Sequence, residues 1–291
     1  MSLDNFTPVL WAARLLANLN DRHVYANLAN REYEGEINGA GDSVKITGLG
    51  RVTVGDYTKD TDIGSPETLT TAQTTLNIDQ QKYFNFQVDD IDKAQNKPKV
   101  MEEAMREAAW ALNDTVDAAM AALYSEIPSA NFASGSTYAA PVASGALTAG
   151  SSFYDYVVDL QVILDKSNTP EVGRWVVVPP WARGVMQKDS RFINATQLGN
   201  DIRARGVIAQ AAGFDIYVSN NVVASATTSA GAYVVMAGYP GAWAYAEQVA
   251  SVEAYRPEKR FADAVKGLLV YGYKVVRPSN LAVLYAKYAT S

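Results

Sequence analysis

The feature of this sequence that most restricts its fold is a long stretch of two-residue periodicity around a polar loop. Apolar residues alternate with polar ones from Val44 to Val54 and, after the loop 55–67, again from Leu76 to Val88. Such alternation places residues on opposite faces of a strand, and two runs around a polar tip predict a β-hairpin. Arms of about 12–15 residues would reach roughly 40–50 Å. Because a two-stranded ribbon is marginal in isolation, the hairpin needs a surface to lie on, either its own chain or another copy.

A long helix is predicted directly after the hairpin. Pro98 precedes a segment in which apolar residues recur every three or four positions: Met101, Met105, Ala108, Leu112, Val116, Ala119 and Leu123. This spacing gives one apolar stripe, and proline favours the start of a helix. Alanine, glutamate and methionine favour its interior, and Pro128 supplies a stop. The predicted helix 98–127 is a rod of roughly 43 Å.

The rest of the chain predicts a mixture of shorter helices and strands, hence an α+β fold. Helices are expected at 8–20 and 152–166, a helical turn or two at 181–187, and a loop without clear period at 187–206. Strands are expected at 174–180, 214–219, 232–237, 242–246, 251–256, 267–277 and 281–288, the last two forming a hairpin around 278–280. No internal repeat and no long polar linker occurs, so we expect one domain or two closely packed ones.

Composition excludes several classes of function. The chain of 291 residues has a net charge of −6, which argues against a dedicated nucleic-acid-binding protein. It contains no cysteine, so disulfides, thiolate metal sites and cysteine nucleophiles are ruled out. No apolar run reaches the length of a membrane span, and the N-terminal sequence does not resemble a secretory leader. We expect synthesis in a cytoplasm and no contact with a membrane.

The charge is unevenly distributed along the chain. Residues 1–150 hold 11 Lys and Arg against 20 Asp and Glu, whereas residues 151–291 hold 14 against 11. Such asymmetry is either accidental or the mark of copies that meet head to tail.

A search for catalytic motifs finds none. His23, the single histidine, lies in a polar segment without a motif that would supply an orienting carboxylate or a nucleophile, so we interpret it as a surface or interface residue. Gly48 and Gly50 begin a glycine pattern in which Thr53 replaces the third glycine, and a bend in the hairpin explains them better than a phosphate loop.

Two acidic clusters are weak candidates for cation sites. Asp89, Asp90 and Asp92 precede the long helix, where negative charge favours the helix N-terminus. Asp60 and Asp62 imitate a calcium loop, but Thr71 stands in place of the bidentate carboxylate. We therefore expect no metal, no cofactor and no enzymatic activity.

Tyrosines in the final strands are expected in the core or an interface (Tyr271, Tyr273, Tyr285 and Tyr288).

Two segments of the second half resemble a known family. RGVIAQAAGFDIYVSNNV (205–222) and RFADAVKGLLVYGYKVVRPSNLAVLYAKY (260–288) are similar to major capsid proteins of tailed bacteriophages with the Hong Kong 97-type fold. The resemblance implies an N-terminal arm at 1–35, an E-loop hairpin at 36–92 and a P-domain at 93–149 with the spine helix 98–127. It also implies an A-domain at 150–250, with Lys188–Gly206 nearest the capsomer centre, and return strands of the P-domain at 251–291.

The resemblance further implies a subunit that self-assembles into hexamers and pentamers of an icosahedral shell around double-stranded DNA, with a portal. No long helical extension precedes the arm, so a separate scaffolding protein is expected. Some family members cross-link a lysine to an asparagine, and Lys59 and Asn280 could serve here. The alternatives are an encapsulin-like compartment shell, another phage structural protein, or a soluble enzyme.

The charge asymmetry, combined with this resemblance, predicts contact residues between copies. Rings of identical subunits use heterologous interfaces, in which one face fits a different face of the neighbour. The acidic hairpin tip could therefore meet the basic stretch near residue 256. The candidates are Asp56, Lys59, Asp60, Asp62 and Glu67 at the tip, and Arg256, Lys259 and Arg260 opposite. The alternative is that these are solvated loop charges.

Overall fold

The computed structural model describes residues 24–36, 43–49, 71–89, 100–133, 153–188, 210–224, 231–259 and 261–288, with positions 54, 56–60, 62, 64, 68, 136 and 142–143. Its α-helices are α1 Val100–Ala121, α2 Phe153–Lys166 and α3 Pro180–Lys188. The strands of the hairpin and the first sheet are β1 Ser43–Leu49, β2 Thr71–Asn77, β3 Gln80–Asp89, β9 Trp243–Tyr255 and β10 Ala262–Val275. Those of the second sheet are β4 Val142–Ala143, β5 Trp175–Val178, β6 Gln210–Ala211, β7 Phe214–Val218, β8 Ala232–Gly238 and β11 Leu281–Lys287.

The larger sheet has six strands in the order β4-β11-β8-β5-β7-β6. Pairs β5–β7 and β4–β11 are parallel and the others are antiparallel. Successive side chains of β5 point to opposite faces, as in any strand. Val176 and Val178 pack with α2 and α3, whereas Trp175 and Val177 face the side on which α1 lies. Both faces are buried, which explains the continuous apolar run of this strand.

The smaller sheet has three antiparallel strands in the order β3-β10-β9. One of its faces shares a core with α1, which contributes one apolar stripe: Met105, Ala109, Leu112, Val116 and Met120. The long helix thus lies against both sheets. Its predicted stripe is confirmed along most of its length, although Ala109 and Met120 are buried where Ala108 and Ala119 were expected.

The opposite face of the smaller sheet carries the hairpin. Strands β1 and β2 pair antiparallel from Ser43↔Asn77 to Leu49↔Thr71. Their inward residues form a third core with two alanines and Val270 of the sheet: Val44, Ile46, Leu76, Ile78, Ala244 and Ala246. The base of the hairpin therefore rests on its own chain. At Gly272 the strand backbones come so close that an added Cβ would lie 2.3 Å from the Asn77 carbonyl oxygen.

Two predictions about these strands are wrong. The alternation at Phe84, Phe86 and Val88 does not continue the hairpin arm, because β3 leaves it and pairs with β10. The predicted strands 242–246 and 251–256 are one strand, β9, so the predicted boundary at residue 250 falls inside it. A register shift opposite Leu268 and Leu269 breaks the regular period there.

The last two strands do not form the predicted hairpin. β10 is the central strand of the smaller sheet, whereas β11 lies between β4 and β8 in the larger one. A single 3-10 turn, Pro278–Asn280, leads from one sheet to the other. Of the residues 251–291 that were grouped as return strands, Leu281–Lys287 thus pairs in the larger sheet.

The long helix is shorter than predicted. α1 ends at Ala121, and a 3-10 turn, Ala122–Glu126, completes the helical segment. Ile127, which precedes Pro128, has an extended backbone because proline disfavours the helical conformation of the residue before it. The start at Pro98 lies outside the described residues, as do the predicted helix 8–20 and most of the loop 187–206.

A strap, residues 24–34, attaches the N-terminal part of the described chain to the core through both apolar and polar contacts. The Asp117 carboxylate on α1 accepts hydrogen bonds from the backbone N–H groups of Val24 at 2.8 Å and Ala26 at 3.5 Å. On β9 the buried Glu247 accepts hydrogen bonds from Arg31 and, at 2.6 Å, from the Tyr245 hydroxyl. Both carboxylates are buried but hydrogen-bonded, the condition under which buried charge is tolerated.

Burial changes the acid–base behaviour of three tyrosines. Removal from water, together with nearby Asp117, raises the pKa of Tyr25 far above its usual range. Burial and the neighbouring Glu247 raise the pKa of Tyr245 in the same direction. For Tyr271, burial first and then Tyr273 and Asp79 raise the pKa to about 12.

These pKa shifts predict a loss of stability at alkaline pH. A group whose pKa is higher in the folded state contributes stability below its unfolded pKa, about 10 for tyrosine, and loses it as the pH rises through the folded value. Urea unfolding should therefore give a constant free energy at neutral to mildly alkaline pH and a falling one between pH 10 and about 12. Tyr271→Phe should reduce the slope. Ionisation of every tyrosine near pH 10 without unfolding would contradict the expectation.

The close approach of the strand backbones at Gly272 predicts that two glycine substitutions differ in their effect on stability. In Gly272→Ala the new Cβ meets the backbone of Asn77 and Ile78, which cannot move aside as a side chain can. Overpacking of this kind lowers the free energy of unfolding by about 1–3 kcal/mol. Gly64→Ala is the control, because nothing lies within 4 Å of its added Cβ. Chemical unfolding should show the loss for Gly272→Ala and no loss for Gly64→Ala, and equal stability of the two variants would refute the close crossing.

Candidate assembly surfaces

The hairpin tip is exposed at all of its described positions between 54 and 68. Val54 is 93 % exposed and Tyr57 is 71 % exposed, unusually high values for large apolar side chains. Asp60 has a positive φ of 65°, which aspartate tolerates better than most residues, and it marks a turn after Lys59. Since the base of the hairpin rests on the sheet, the tip is presented by a fixed support.

The tip is acidic, as the sequence predicted. Asp56, Asp60 and Asp62 are exposed, with Lys59 among them. None of these carboxylates forms an ion pair with another described residue. Glu67, the fifth residue predicted for this surface, lies outside the described residues.

The basic stretch forms the turn between β9 and β10. The Arg256 side chain is 62 % exposed, and its Nε lies 3.5 Å from Asp263 Oδ1 at the start of β10. Lys259 and Glu258 are exposed beside it, and Arg260 lies outside the described residues. Phe261, at the end of the turn, is 84 % exposed. The turn therefore combines positive charge with an exposed aromatic ring.

The sheet face that leads up to this turn is held by a polar network. Lys266 Nζ lies 2.8 Å from Glu253 Oε2 and 5.5 Å from the centre of the Tyr255 ring. The Tyr255 hydroxyl donates a hydrogen bond of 3.2 Å to Asn85 Oδ1, across the central strand. The hydrogen bond and charge of Glu253 raise the pKa of Lys266. These contacts join β3, β10 and β9 beneath the turn.

The structure does not bring the acidic and basic residues together within one chain. The tip and the β9–β10 turn belong to different elements, and no described ion pair joins them. Contact between them thus remains a prediction about neighbouring copies. The same holds for the cross-link, since Lys59 is exposed at the tip and Asn280 is half-buried in the turn Pro278–Asn280.

The structure shows little that resembles an active site in the residues it describes. Among them, no group of three or more His, Asp or Glu side chains is arranged to hold a metal ion. None of the described helices has the length and apolar character needed to cross a membrane. His23, Asp90 and Asp92 lie outside the described residues.

Sequence reasoning missed the apolar part of both surfaces. Tyr57 was placed in the polar loop 55–67, Val54 at the end of the first alternating run, and Phe261 between two predicted strands. The available signal was the presence of large apolar residues close to several charged residues at or beyond the ends of the predicted strands.

Comparison with solved structures supports the fold. A chain from Mycobacterium phage Che8 has 30 % sequence identity and a TM-score of 0.68 over 90 % of this chain and 91 % of that one. The capsid of cyanophage P-SCSP1u has 17 % identity and a TM-score of 0.67, covering 86 % and 85 % of the two chains. A virus-like particle from Pyrococcus furiosus has 12 % identity and a TM-score of 0.53, covering 94 % and 97 %. At such low identity the last two show the fold alone.

The shared fold is that of Hong Kong 97-type shell proteins, which confirms the predicted fold class. Residues 72–284 match the model of a family described as phage capsid protein, and the chain belongs to this family. The comparison with curated proteins gives no match. The prediction of a structural subunit of a phage capsid shell is thereby confirmed, and the encapsulin-like alternative is not favoured.

Proposed function

We propose that copies of this major capsid protein form the hexamers and pentamers of an icosahedral shell around double-stranded DNA. The observation that carries this proposal is the exposed hairpin tip on its fixed base. A support rigid enough to present two apolar side chains and three carboxylates to solvent fits contact with another molecule. Membership of the capsid family makes a second copy the natural partner.

The described elements support an assignment of the predicted parts. The hairpin β1–β2 is the E-loop, and α1 is the spine helix of a P-domain that includes the smaller sheet. The larger sheet with α2 and α3 is the A-domain, to which β11 is added. The arm 1–35 includes the strap, so its last residues are bound to α1 and β9.

Further parts of the proposal concern partners and place of synthesis. We propose no catalytic role, in line with the structural family and the absence of a catalytic motif in the sequence. A separate scaffolding protein would direct assembly, a portal would occupy one vertex, and the DNA would be enclosed without sequence-specific binding. The protein would be made in the cytoplasm of the bacterial host and function in the virion.

Removal of the hairpin tip should abolish assembly without unfolding the subunit. The pairing of Leu49 with Thr71 allows residues 50–70 to be replaced by Asn-Gly, a favoured two-residue hairpin turn, so that all seven described β1–β2 pairs are kept. Electron microscopy of the unaltered protein should show closed shells, and circular dichroism should show that the shortened variant is folded. Gly64→Ala, a change within the tip that meets no neighbour, is the control and should assemble. Normal particles from the shortened variant would refute the assembly role of the tip.

Reversal of charge should test the predicted contact between tip and turn. Asp60→Lys with Asp62→Lys should slow or abolish assembly, and Lys259→Glu with Arg260→Glu added should partly restore it. Each exposed pair is worth about 0–1 kcal/mol, but a closed shell repeats the contact in every subunit. Assembly of the unaltered protein should also slow with salt, since the Debye length falls to about 3 Å at 1 M. Failure of the second pair of changes to restore assembly, with both proteins folded, would indicate solvated loop charges instead.

A further inference from the structure

The two candidate surfaces share a feature that charge alone does not explain. At the tip, Val54 and Tyr57 are exposed beside aspartates, and at the turn Phe261 is exposed beside Arg256 and Lys259. Isolated exposed apolar residues are normal on protein surfaces. Here, however, each of the two surfaces carries exposed apolar residues, and the two surfaces carry opposite charge. This combination is expected of two surfaces that bind each other.

Phe261 has no apolar cover from the described part of its own chain. Phe261 is the last residue of the turn, and Ala262, the next residue, is 1 % exposed. The chain therefore passes from an exposed to a buried side chain within one residue. The turn 255–261 contains a tyrosine, two arginines and a phenylalanine, together with a proline, a glutamate and a lysine. Aromatic residues and arginine are enriched in the buried centre of protein interfaces, where lysine and glutamate are depleted.

Contacts between charged side chains and contacts between apolar side chains differ in strength. Exposed ion pairs contribute little, and salt weakens them, so they mainly guide the approach of two molecules. A large aromatic side chain removed from water in the centre of a contact contributes much more, and salt does not screen this contribution. An interface between these surfaces therefore needs an apolar contact to persist.

We propose that Phe261 is the apolar anchor of the contact between two copies, packing against Tyr57 and Val54 at the hairpin tip of a second copy. The opposite charges of the two surfaces guide the approach, and the aromatic contact holds it. The proposal rests on the proposed function, and it names the residues that make one shell contact durable.

Four serine variants test the anchor. Phe261→Ser and Tyr57→Ser should each raise the protein concentration needed for assembly by about tenfold or more, since removal of an anchor side chain typically costs that factor or more. The double variant should be no worse than the more severe single one, because both changes remove the same contact. Val172→Ser is the matched control, since Val172 is 86 % exposed in the turn between α2 and β5 and belongs to neither surface. Its assembly should not change.

Two measurements separate loss of the anchor from loss of the fold or of the function. Thermal unfolding of the unassembled subunit should give equal midpoints for all four variants, as expected for exposed positions. Shells of the unaltered protein should persist at high salt. If Phe261→Ser assembles like the unaltered protein, or if it and Val172→Ser are equally impaired, the anchor is refuted while the shell function stands. If the unaltered protein forms neither capsomers nor shells, even when it is produced together with its scaffolding protein, the proposed function itself fails.

Discussion

The contact on which this fold depends is the stacking of Trp175 on Trp243. Trp175 belongs to the larger sheet and Trp243 to the smaller one, and their ring centres lie 4.9 Å apart at an angle of 16°. Both side chains are almost completely buried. The strap packs against the same pair of rings. Tyr25 contacts the Trp243 ring edge to face, and the Trp243 indole N–H donates a hydrogen bond to the Leu28 carbonyl. The two sheets, the long helix and the strap thus share one apolar core, and everything that the subunit exposes is oriented by it.

That shared core explains how the exposed surfaces are positioned. β10 and β9 extend from the core to the basic turn, and the polar network around Lys266 stiffens their outer half. The hairpin rests on the other face of the same two strands, at Gly272. The base of the hairpin and the β9–β10 turn are thus both supported by the smaller sheet. One sheet carries the elements from which the two candidate surfaces extend.

Local patterns in the sequence predicted the elements better than their arrangement. The stripe from Met105 to Leu123 and the alternation of β1 and β2 depend on neighbours a few residues away, and both were recognised. The partner of β3 was not, because Phe84 pairs with Gly267 far along the chain and period alone does not specify a partner. The ion pair of Arg31 with Glu247 spans 216 positions and was equally invisible. Among the aromatic residues of β9, β10 and the turn between them, composition could not distinguish buried Tyr245 and Tyr271 from exposed Phe261.

The position of the last strands in the two sheets has a consequence for synthesis. β10 is the central strand of the smaller sheet, and β11 lies between β4 and β8 in the larger one. The two strands come from residues 262–287, so neither sheet is complete until this part of the chain has been synthesised. Pairing over such long sequence distances is slow. A chain without residues 262–275 would present no β9–β10 turn, so this surface forms only after the smaller sheet has received its central strand.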